Sequence, residues 1–326
     1  MRTLSALLAT LLVALLAGCS DDSTVKTDGP KKSDGPGKTD IGITDGPTTD
    51  KPKGDITVVP AALQAVVNKI TIPKTASEYA YDYDGTGKKN ALGGINAVLI
   101  GLKLQGFDFQ TSIDQMVTGG DLLMLLDVQA KAIDNDPAMK VQAFLGDDLD
   151  SPANPADNFS GSEELAVVIG SPKDLILDGK IVANKLTAGP GTLIMPLPMG
   201  STPVTVSLVL AHIEATLSST PATAMTAGVL YGAVPWTDVD GKLIPAMATE
   251  TDATYKSTST PADVKAILKT AFDADGNGTI TADELRNSLL LQAILKADVD
   301  TNKDGTADAM SFGVGFTAVG CKIKKL

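Results

Sequence analysis

The hydrophobic residues that follow Pro60 recur first at helical spacing and later at alternate positions, so predicted helices precede predicted strands. The helical spacing predicts three helices, which cover residues 60–70, the segment after Asn90 and residues 108–118. Pro60 suits the first turn of the first helix, because a nitrogen there has no intrahelical acceptor. Gly119-Gly120 ends the third helix.

From Leu122 onward, apolar and polar residues alternate, which is typical of strands with one buried face. Residues 122–130 and 139–145 predict an antiparallel hairpin, and Asp178-Gly179 has the turn chemistry of a second one. Residues 204–217 are apolar on both faces, as in a central strand, and residues 228–234 predict another strand. We therefore predict an α+β fold in which N-terminal helices pack on an antiparallel β-sandwich or open barrel.

The N-terminus is a short apolar run that ends in a cysteine. Arg2 precedes the apolar residues 4–17, which are too few to span a bilayer and lead into Leu16-Ala17-Gly18-Cys19. This stretch resembles the signal peptide of bacterial lipoproteins. The resemblance implies that residues 1–18 are removed and that lipidated Cys19 anchors the chain to a membrane. An ordinary secretory signal followed by a chance cysteine is the alternative.

Residues 19–58 are predicted to be the lipidated cysteine and a tether. They hold almost no large apolar side chains and repeat a Ser/Thr-Asp-Gly-Pro unit, at Thr27-Asp28-Gly29-Pro30, Ser33-Asp34-Gly35-Pro36 and Thr44-Asp45-Gly46-Pro47. Such a composition cannot offset the entropy of ordering, so we predict disorder. Beyond the tether we predict a helical and β-rich main domain over 59–258, a calcium-binding region over 259–310 and a terminal segment over 311–326.

The charge and cysteine content restrict the partners and the sources of stability. The chain has 27 Lys and Arg against 39 Asp and Glu, a net charge of −12, which argues against nucleic acid as a partner and suits divalent cations. It has only two cysteines, Cys19 and Cys321, so a lipidated Cys19 leaves no intrachain disulfide. We therefore expect stability to come from a large core or from metals.

Residues 273–284 match the loop of an EF-hand at every ligand position. The Ca2+ ligands would be the side chains of Asp273, Asp275 and Asn277, the carbonyl of Thr279, a water held by Thr281 and both carboxylate oxygens of Glu284. Gly278 allows the sharp turn of the loop. The flanks agree, because Thr260-Pro261 begins a predicted incoming helix, and Thr281 and Glu284 have capping-box spacing at the start of the next.

Two further loops keep part of this pattern. One has ligand-type residues at five of its positions but a serine, Ser311, in place of the closing glutamate; these residues are Asp300, Asn302, Asp304, Thr306 and Asp308. The other is a weaker metal candidate with Lys88-Lys89 beside its ligands, which are Asp82, Asp84, Thr86 and Asn90. A plain turn without metal is the alternative for this weaker loop. Both imperfect loops end alike, which indicates a repeated turn that starts the next element.

The residues beyond the second loop predict a strand. Over 311–323, large apolar residues such as Phe312 and Phe316 alternate with small ones such as Gly313 and Gly315. This spacing favours a strand over the outgoing helix of a complete EF-hand. We expect this final strand to return to the β-domain.

These motifs together resemble uncharacterised lipoproteins of Gram-negative bacteria with a C-terminal EF-hand region. The shared features are the lipobox, the Asp/Gly/Pro tether, an Asn-Ala-Leu-Gly loop, a β-rich middle and the EF-hand. In the β-rich middle the resemblance rests on 189–193 and 228–233, and Thr86 departs from it because such loops usually have an acidic residue there. The resemblance supplies no activity, but Ser20 after the anchor resembles the outer-membrane sorting pattern, which implies the periplasmic face or the cell surface.

We therefore expect a calcium-binding, lipid-anchored protein of the cell envelope with a structural or protein-binding role, whose partner is an envelope protein or a surface ligand. The alternative is an envelope hydrolase or a carbohydrate-binding module on the β-domain. His212 is the only histidine, which excludes a two-histidine zinc site, and no Gly-x-Ser-x-Gly occurs. Aromatic residues make up only 4% of the chain, with Tyr231 and Trp236 as the few candidates for a sugar platform. A role without catalysis is favoured, and no catalytic residue is assigned.

Overall fold

The computed structural model describes residues 61–102, 109–169, 171–172, 174–197 and 204–325. The predicted signal peptide, Cys19 and the tether lie outside these ranges. The strands are β1 (Ala61–Thr71), β2 (Leu123–Gln129), β3 (Asn135–Asp148), β4 (Glu164–Val167), β5 (Ile176–Val182), β6 (Lys185–Leu197), β7 (Val204–Leu217), β8 (Met225–Pro235), β9 (Ala309–Gly320) and β10 (Lys322–Lys324). None of the helices in these ranges has the length and apolar character needed to cross a bilayer.

The helices are α1 (Ala91–Leu102), α2 (Phe109–Gly119), α3 (Ile244–Lys256), α4 (Ala262–Phe272), α5 (Ala282–Asn287) and α6 (Leu289–Ile294). A helical turn, Trp236–Asp238, and a π-helical turn, Val239–Leu243, lead directly into α3. The helices predicted after Asn90 and over 108–118 are confirmed by α1 and α2. The segment that leaves the 273–284 loop is split into α5 and α6 at Ser288, whose hydroxyl accepts the N–H of Leu291.

Eight strands close into an antiparallel barrel. They follow one another in the order β3, β2, β1, β9, β8, β7, β6 and β5, and β5 pairs back with β3. The long strand β3 closes the ring because one of its edges pairs with β2 and the other with both β5 and β4. The short strand β10 extends β4 in a parallel pair. The predicted fold class, helices layered on a sandwich or open barrel, is therefore wrong.

The barrel interior is filled with side chains, as expected for eight strands. Phe312, Leu208 and Met139 are among its fully buried members. Helices α1 and α2 add apolar side chains to this core and pack against β9 and β1 respectively. A second, smaller cluster lies on the other face of the sheet beside β4, and it includes Phe144 and Cys321.

The first predicted helix is wrong, because residues 61–71 form strand β1 between β2 and β9. The error has a physical cause. The register of β1 against β9 shifts between Val67 and Lys69, which is a β-bulge. The extra residue places Val67 and Ile70 in the same core although they are three positions apart, so the strand imitates helical spacing.

The second predicted hairpin turn is also misplaced. Asp178 and Gly179 lie inside the continuous strand β5, where both pair with β3. The chain reverses instead at Ala183 and Asn184, whose φ angles of 51° and 62° fit a two-residue hairpin turn between Val182 and Lys185. The final strand predicted from residue 311 onward is present as β9, which pairs with β1 and β8.

Candidate metal centre

The loop between α4 and α5 is a compact turn whose backbone N–H groups donate to its own side chains. Gly276 and Gly278 have φ angles of +71° and +83°, which are accessible to glycine without strain. The Gly278 N–H donates to Asp273 Oδ2 at 3.2 Å. The N–H groups of Asn277 and Thr279 each donate to the side-chain oxygen two residues earlier, at 3.0 and 2.7 Å. These bonds fold the backbone of the loop around the side chains of Asp273, Asp275 and Asn277.

Three carboxylates meet in this loop. Ligand oxygens of Asp273, Asp275 and Glu284 all lie within 4.8 Å of one another. Asp273 is only 6% exposed, and its Oδ1 is buried with no hydrogen-bond partner. A buried carboxylate oxygen without a partner is costly unless a cation or a donor compensates it. The donor set therefore fits a hard cation, and the orphaned Asp273 oxygen is the feature that calls for one.

Glu284 closes the loop from the first turn of α5. Its Oε1 accepts the N–H of Ala274 at 3.0 Å, and its Oε2 accepts the N–H and hydroxyl of Thr281, both at 2.9 Å. Thr281 in turn accepts the N–H of Glu284, which completes the predicted capping box. Burial opposes ionisation of Glu284, but the hydrogen bonds from Thr281, Asp275 and Ala274 together outweigh it and lower the pKa of its carboxyl. Glu284 is thus poised in its anionic form.

Helix α3 holds the loop against the rest of the protein. The N–H of Ile280 donates to Asp252 Oδ1 at 2.9 Å, and the Ile280 side chain is buried in the main core. Tyr255 donates its hydroxyl to Asp273 Oδ2 at 3.2 Å. Lys256 bonds to Asp252 at 2.8 Å and to the Thr279 hydroxyl at 3.1 Å. A conformational change of the loop would therefore alter its contacts with α3 and the packing of Ile280 in the core.

The loop over 300–308 repeats the backbone but not the full ligand set. Lys303 and Gly305 have positive φ, and Gly305 donates to Asp300 Oδ2 at 2.7 Å. Asn302 and Asp304 accept the N–H groups two residues later, at 2.9 and 2.8 Å. Asp308 accepts the N–H and hydroxyl of Thr301, one on each oxygen and each at 2.8 Å, so each oxygen keeps a further acceptor site.

Ser311 has a structural task at the position of the missing glutamate. It is fully buried, and its N–H and hydroxyl donate to the carboxylate of Asp298 at 2.7 and 2.6 Å. Its Oγ accepts the N–H of Ala91, the first residue of α1, at 2.7 Å. A glutamate here would lose the two contacts that the hydroxyl makes, with Asp298 and with the N–H of Ala91.

In the weakest candidate, the structure separates the predicted ligands. Asp82 accepts the N–H groups of Gly85 and Gly87 at 2.7 and 3.4 Å, and Asp84 accepts the N–H and hydroxyl of Thr86 at 3.1 and 2.6 Å. Asn90 instead donates its amide to the carbonyls of Glu78, Tyr79 and Gly313, at 2.7, 3.4 and 3.0 Å. Asn90 therefore joins α1 to β9 and does not face the loop.

An aromatic cluster, consisting of Tyr81, Tyr83, His212 and Tyr231, is a feature that the sequence analysis missed. Tyr81 lies at its centre, with ring centroids 5.1, 4.6 and 5.0 Å from the other three rings. The cluster is built where the segment before α1 crosses β7 and β8. The only signal in the sequence was the alternation of tyrosines at 79, 81 and 83, which gives no indication of His212 or Tyr231.

The contacts of His212 fit packing better than catalysis. Its Nε2 lies 3.3 Å from the Tyr81 hydroxyl, and its Nδ1 lies 3.0 Å from the carbonyl oxygen of Leu210. Burial lowers the pKa of His212 and raises the pKa of Tyr231 to about 12. These groups are therefore neutral at physiological pH, and their rings contact one another.

No family model, no curated protein and no solved structure matches the chain. The resemblance to bacterial lipoproteins with an EF-hand therefore rests on the motifs alone and stays a prediction.

Proposed function

We propose that this protein is a calcium-binding, lipid-anchored protein of the cell envelope in which calcium stabilises the fold. The observation that carries the proposal is the buried, unpartnered Oδ1 of Asp273, which belongs to a cluster with Asp275 and Glu284. Three carboxylates in one loop need a cation more than any neutral ligand, because their charges repel at these separations.

Calcium suits the donor set better than other cations. All six predicted ligands of the 273–284 loop offer oxygen, which disfavours zinc and other metals that prefer nitrogen or sulfur. Magnesium requires near-octahedral geometry and keeps several waters, whereas calcium accepts a bidentate carboxylate such as Glu284. The loop over 300–308 would add a second, weaker calcium ion held by Asp300, Asn302 and Asp304.

The role of calcium is structural in this proposal. Ile280, within the loop, and Leu285 and Leu291, which follow it, are buried in the same core as the barrel. A calcium sensor opens an apolar groove between its helices when it binds calcium. Here the apolar residues at the loop belong to the barrel core, so the same opening would expose that core. The free energy of calcium binding therefore adds to the stability of the whole domain.

The envelope location and the anchor rest on the sequence motif around Cys19. The partner would be another envelope protein or a surface ligand. Two of the candidates for a hydrolase or a carbohydrate-binding module, His212 and Tyr231, each pack against Tyr81.

The calcium proposal is tested by thermal unfolding of the purified protein in chelator, in calcium and in magnesium. We expect calcium to raise the melting temperature and magnesium to raise it less. Glu284→Gln should lose most of the calcium effect, because the bidentate ligand is weakened. Asp263→Asn, which removes an exposed carboxylate from α4 outside the loop, is the matched control and should respond as the wild type does. An equal melting temperature in all three media would reject the proposal.

The anchor is tested by metabolic labelling with a fatty acid and by membrane fractionation. Cys19→Ser should abolish labelling and release the protein or leave the precursor uncleaved. Cys321→Ser changes the only other cysteine and should keep the label. Normal processing and labelling of the Cys19→Ser variant would show that the apolar N-terminus is not a lipoprotein signal.

A further inference from the structure

The loop over 82–90 has the same backbone plan as the two calcium-type loops. In each, the fourth and sixth residues have positive φ: Gly85 and Gly87, Gly276 and Gly278, Lys303 and Gly305. In each, the sixth residue donates its N–H to the carboxylate of the first, at 3.4, 3.2 and 2.7 Å respectively. The 82–90 loop is therefore shaped like its two counterparts.

What differs is the cation. The ammonium of Lys89 lies 2.8 Å from Asp84 Oδ2, the carboxylate at the third ligand position. It also donates to the carbonyl oxygen of Asp298 at 2.6 Å. The side chains of Lys89 and Asp84 are only 24% and 14% exposed, so solvent screens their attraction less than it would at the surface.

We propose that Lys89 is a tethered cation that takes the place of calcium in the 82–90 loop and ties this loop to the segment that precedes the 300–308 loop. A lysine ammonium has three donors and no acceptor, so it can satisfy a carboxylate and a carbonyl at once. The ammonium of Lys89 is part of the chain, so it occupies the loop whether or not calcium is present.

The position of Asp298 gives this link its importance. The backbone of Asp298 accepts from Lys89, while its carboxylate accepts the N–H and hydroxyl of Ser311. Ser311 in turn accepts the N–H of Ala91. One chain of contacts therefore runs from Lys89 through Asp298 to the start of α1 and the start of β9. These contacts do not depend on calcium, so they would stay in place when calcium is withdrawn from the other loops.

The inference is tested by counting bound calcium ions in the full protein, by native mass spectrometry or equilibrium dialysis at about 1 mM free calcium, which is in the range of extracellular sites. Lys89→Met should bind one ion more than the wild type, because calcium can then enter beside Asp82 and Asp84. Lys88→Met, which removes the exposed neighbouring charge, should bind the wild-type number. Lys89→Arg keeps a cation and should also bind that number.

Thermal unfolding supplies a second readout. Lys89→Met should melt several degrees below Lys88→Met in chelator and recover at least half of that loss in calcium. Adding Asp84→Asn to Lys89→Met should abolish the extra ion and the recovery. An unchanged ion count in Lys89→Met, or a loss of stability that calcium does not relieve, would overturn the tethered cation. A wild type that binds no calcium would reject the proposed function, whereas the difference between the two lysine variants would still decide this inference.

Discussion

Asp273→Asn should change the stability of the protein in opposite directions with and without calcium. The carboxylate is buried, its Oδ2 accepts from Tyr255 and Gly278, and its Oδ1 has no partner. An asparagine can keep the two accepted bonds with its carbonyl oxygen. Its neutral amide then takes the position of the unpartnered Oδ1.

The magnitude follows from the separation of the charges. Two unit charges 4.8 Å apart, the upper limit of the distances in the trio, repel by about 0.9 kcal/mol at a dielectric constant near 80 and about 3.5 kcal/mol near 20. Asp275 is exposed, so the lower part of this range applies to it. Removing one charge of the trio should therefore raise the free energy of unfolding by about 1–3 kcal/mol in chelator.

In calcium the wild type should be more stable than Asp273→Asn, the reverse of the order expected in chelator. A ligand at a hundred times its dissociation constant stabilises the wild type by about 2.7 kcal/mol, and Asp273→Asn forfeits most of this because it loses a charged ligand. For a domain of this size, each kcal/mol moves the melting temperature by about 2–4 °C. We thus expect the variant to melt several degrees above the wild type in chelator and several degrees below it in calcium.

The assay is thermal unfolding in both media, repeated by urea titration, with Asp263→Asn as the control for charge removal outside the loop. A variant that is less stable than the wild type by the same amount in both media would refute the reasoning. Asp273 would then act only as an acceptor for Tyr255 and Gly278.

Three further predictions concern the capping box, the barrel core and the loop that contains Lys89. Thr281→Ala removes the acceptor at the start of α5 and should lower the free energy of unfolding by about 1 kcal/mol in urea titrations, in chelator as well as in calcium. Phe312→Ala empties a fully buried site in the barrel and should lower the free energy of unfolding by about 3–5 kcal/mol, measured in the same way. The ammonium of Lys89 lowers the pKa of Asp84 from 3.8 to about 2, so this carboxylate adds stability above pH 4 that is lost as the pH falls towards 2. Asp84→Asn should flatten that part of the pH–stability curve, and an unchanged slope would contradict the assignment.

The parts of this protein that the sequence predicts well are those set by neighbouring residues. The ligand spacing of residues 273–284, the capping box at Thr281 and the helix after Asn90 depend on contacts a few positions apart, and all three have the expected backbone. The strands with simple alternation belong to the same class, because one buried face leaves a period of two.

The errors come from interactions between distant residues. The bulge after Val67 is defined by pairing with β9, some 250 positions later, so its effect on spacing cannot be seen locally. Closure of the barrel depends on β3 using one edge for β2 and the other for β5. An alternating pattern shows that a strand has a buried face but does not name its neighbours, so a sandwich, an open barrel and a closed barrel fit it equally well.

The candidate site shows the same division. The predicted ligands of the 273–284 loop follow from spacing. The contacts of Asp252 and Tyr255, which hold the loop from α3, depend on the fold and could not be predicted from the sequence. The role of Lys89 could be predicted only in part. The sequence shows that its positive charge lies beside Asp84, which disfavours a metal ion there. Its second contact, with Asp298, lies 209 positions away and needed the structure.

The pairing of β1 with β9 has a consequence for the kinetics of folding. Strand β1 is the first strand of the barrel in the chain, but one of its edges pairs with β9, which ends only at Gly320. Pairing at that edge of β1 therefore cannot occur until β9 is available. Contacts between such distant segments slow folding, and until they form, β1 and β8 each present an unpaired edge. A nascent chain therefore cannot complete the barrel before β9 has been synthesised. For the same reason, truncation at Lys296 should leave these two edges open and yield aggregated protein, because it removes the strand that pairs with both.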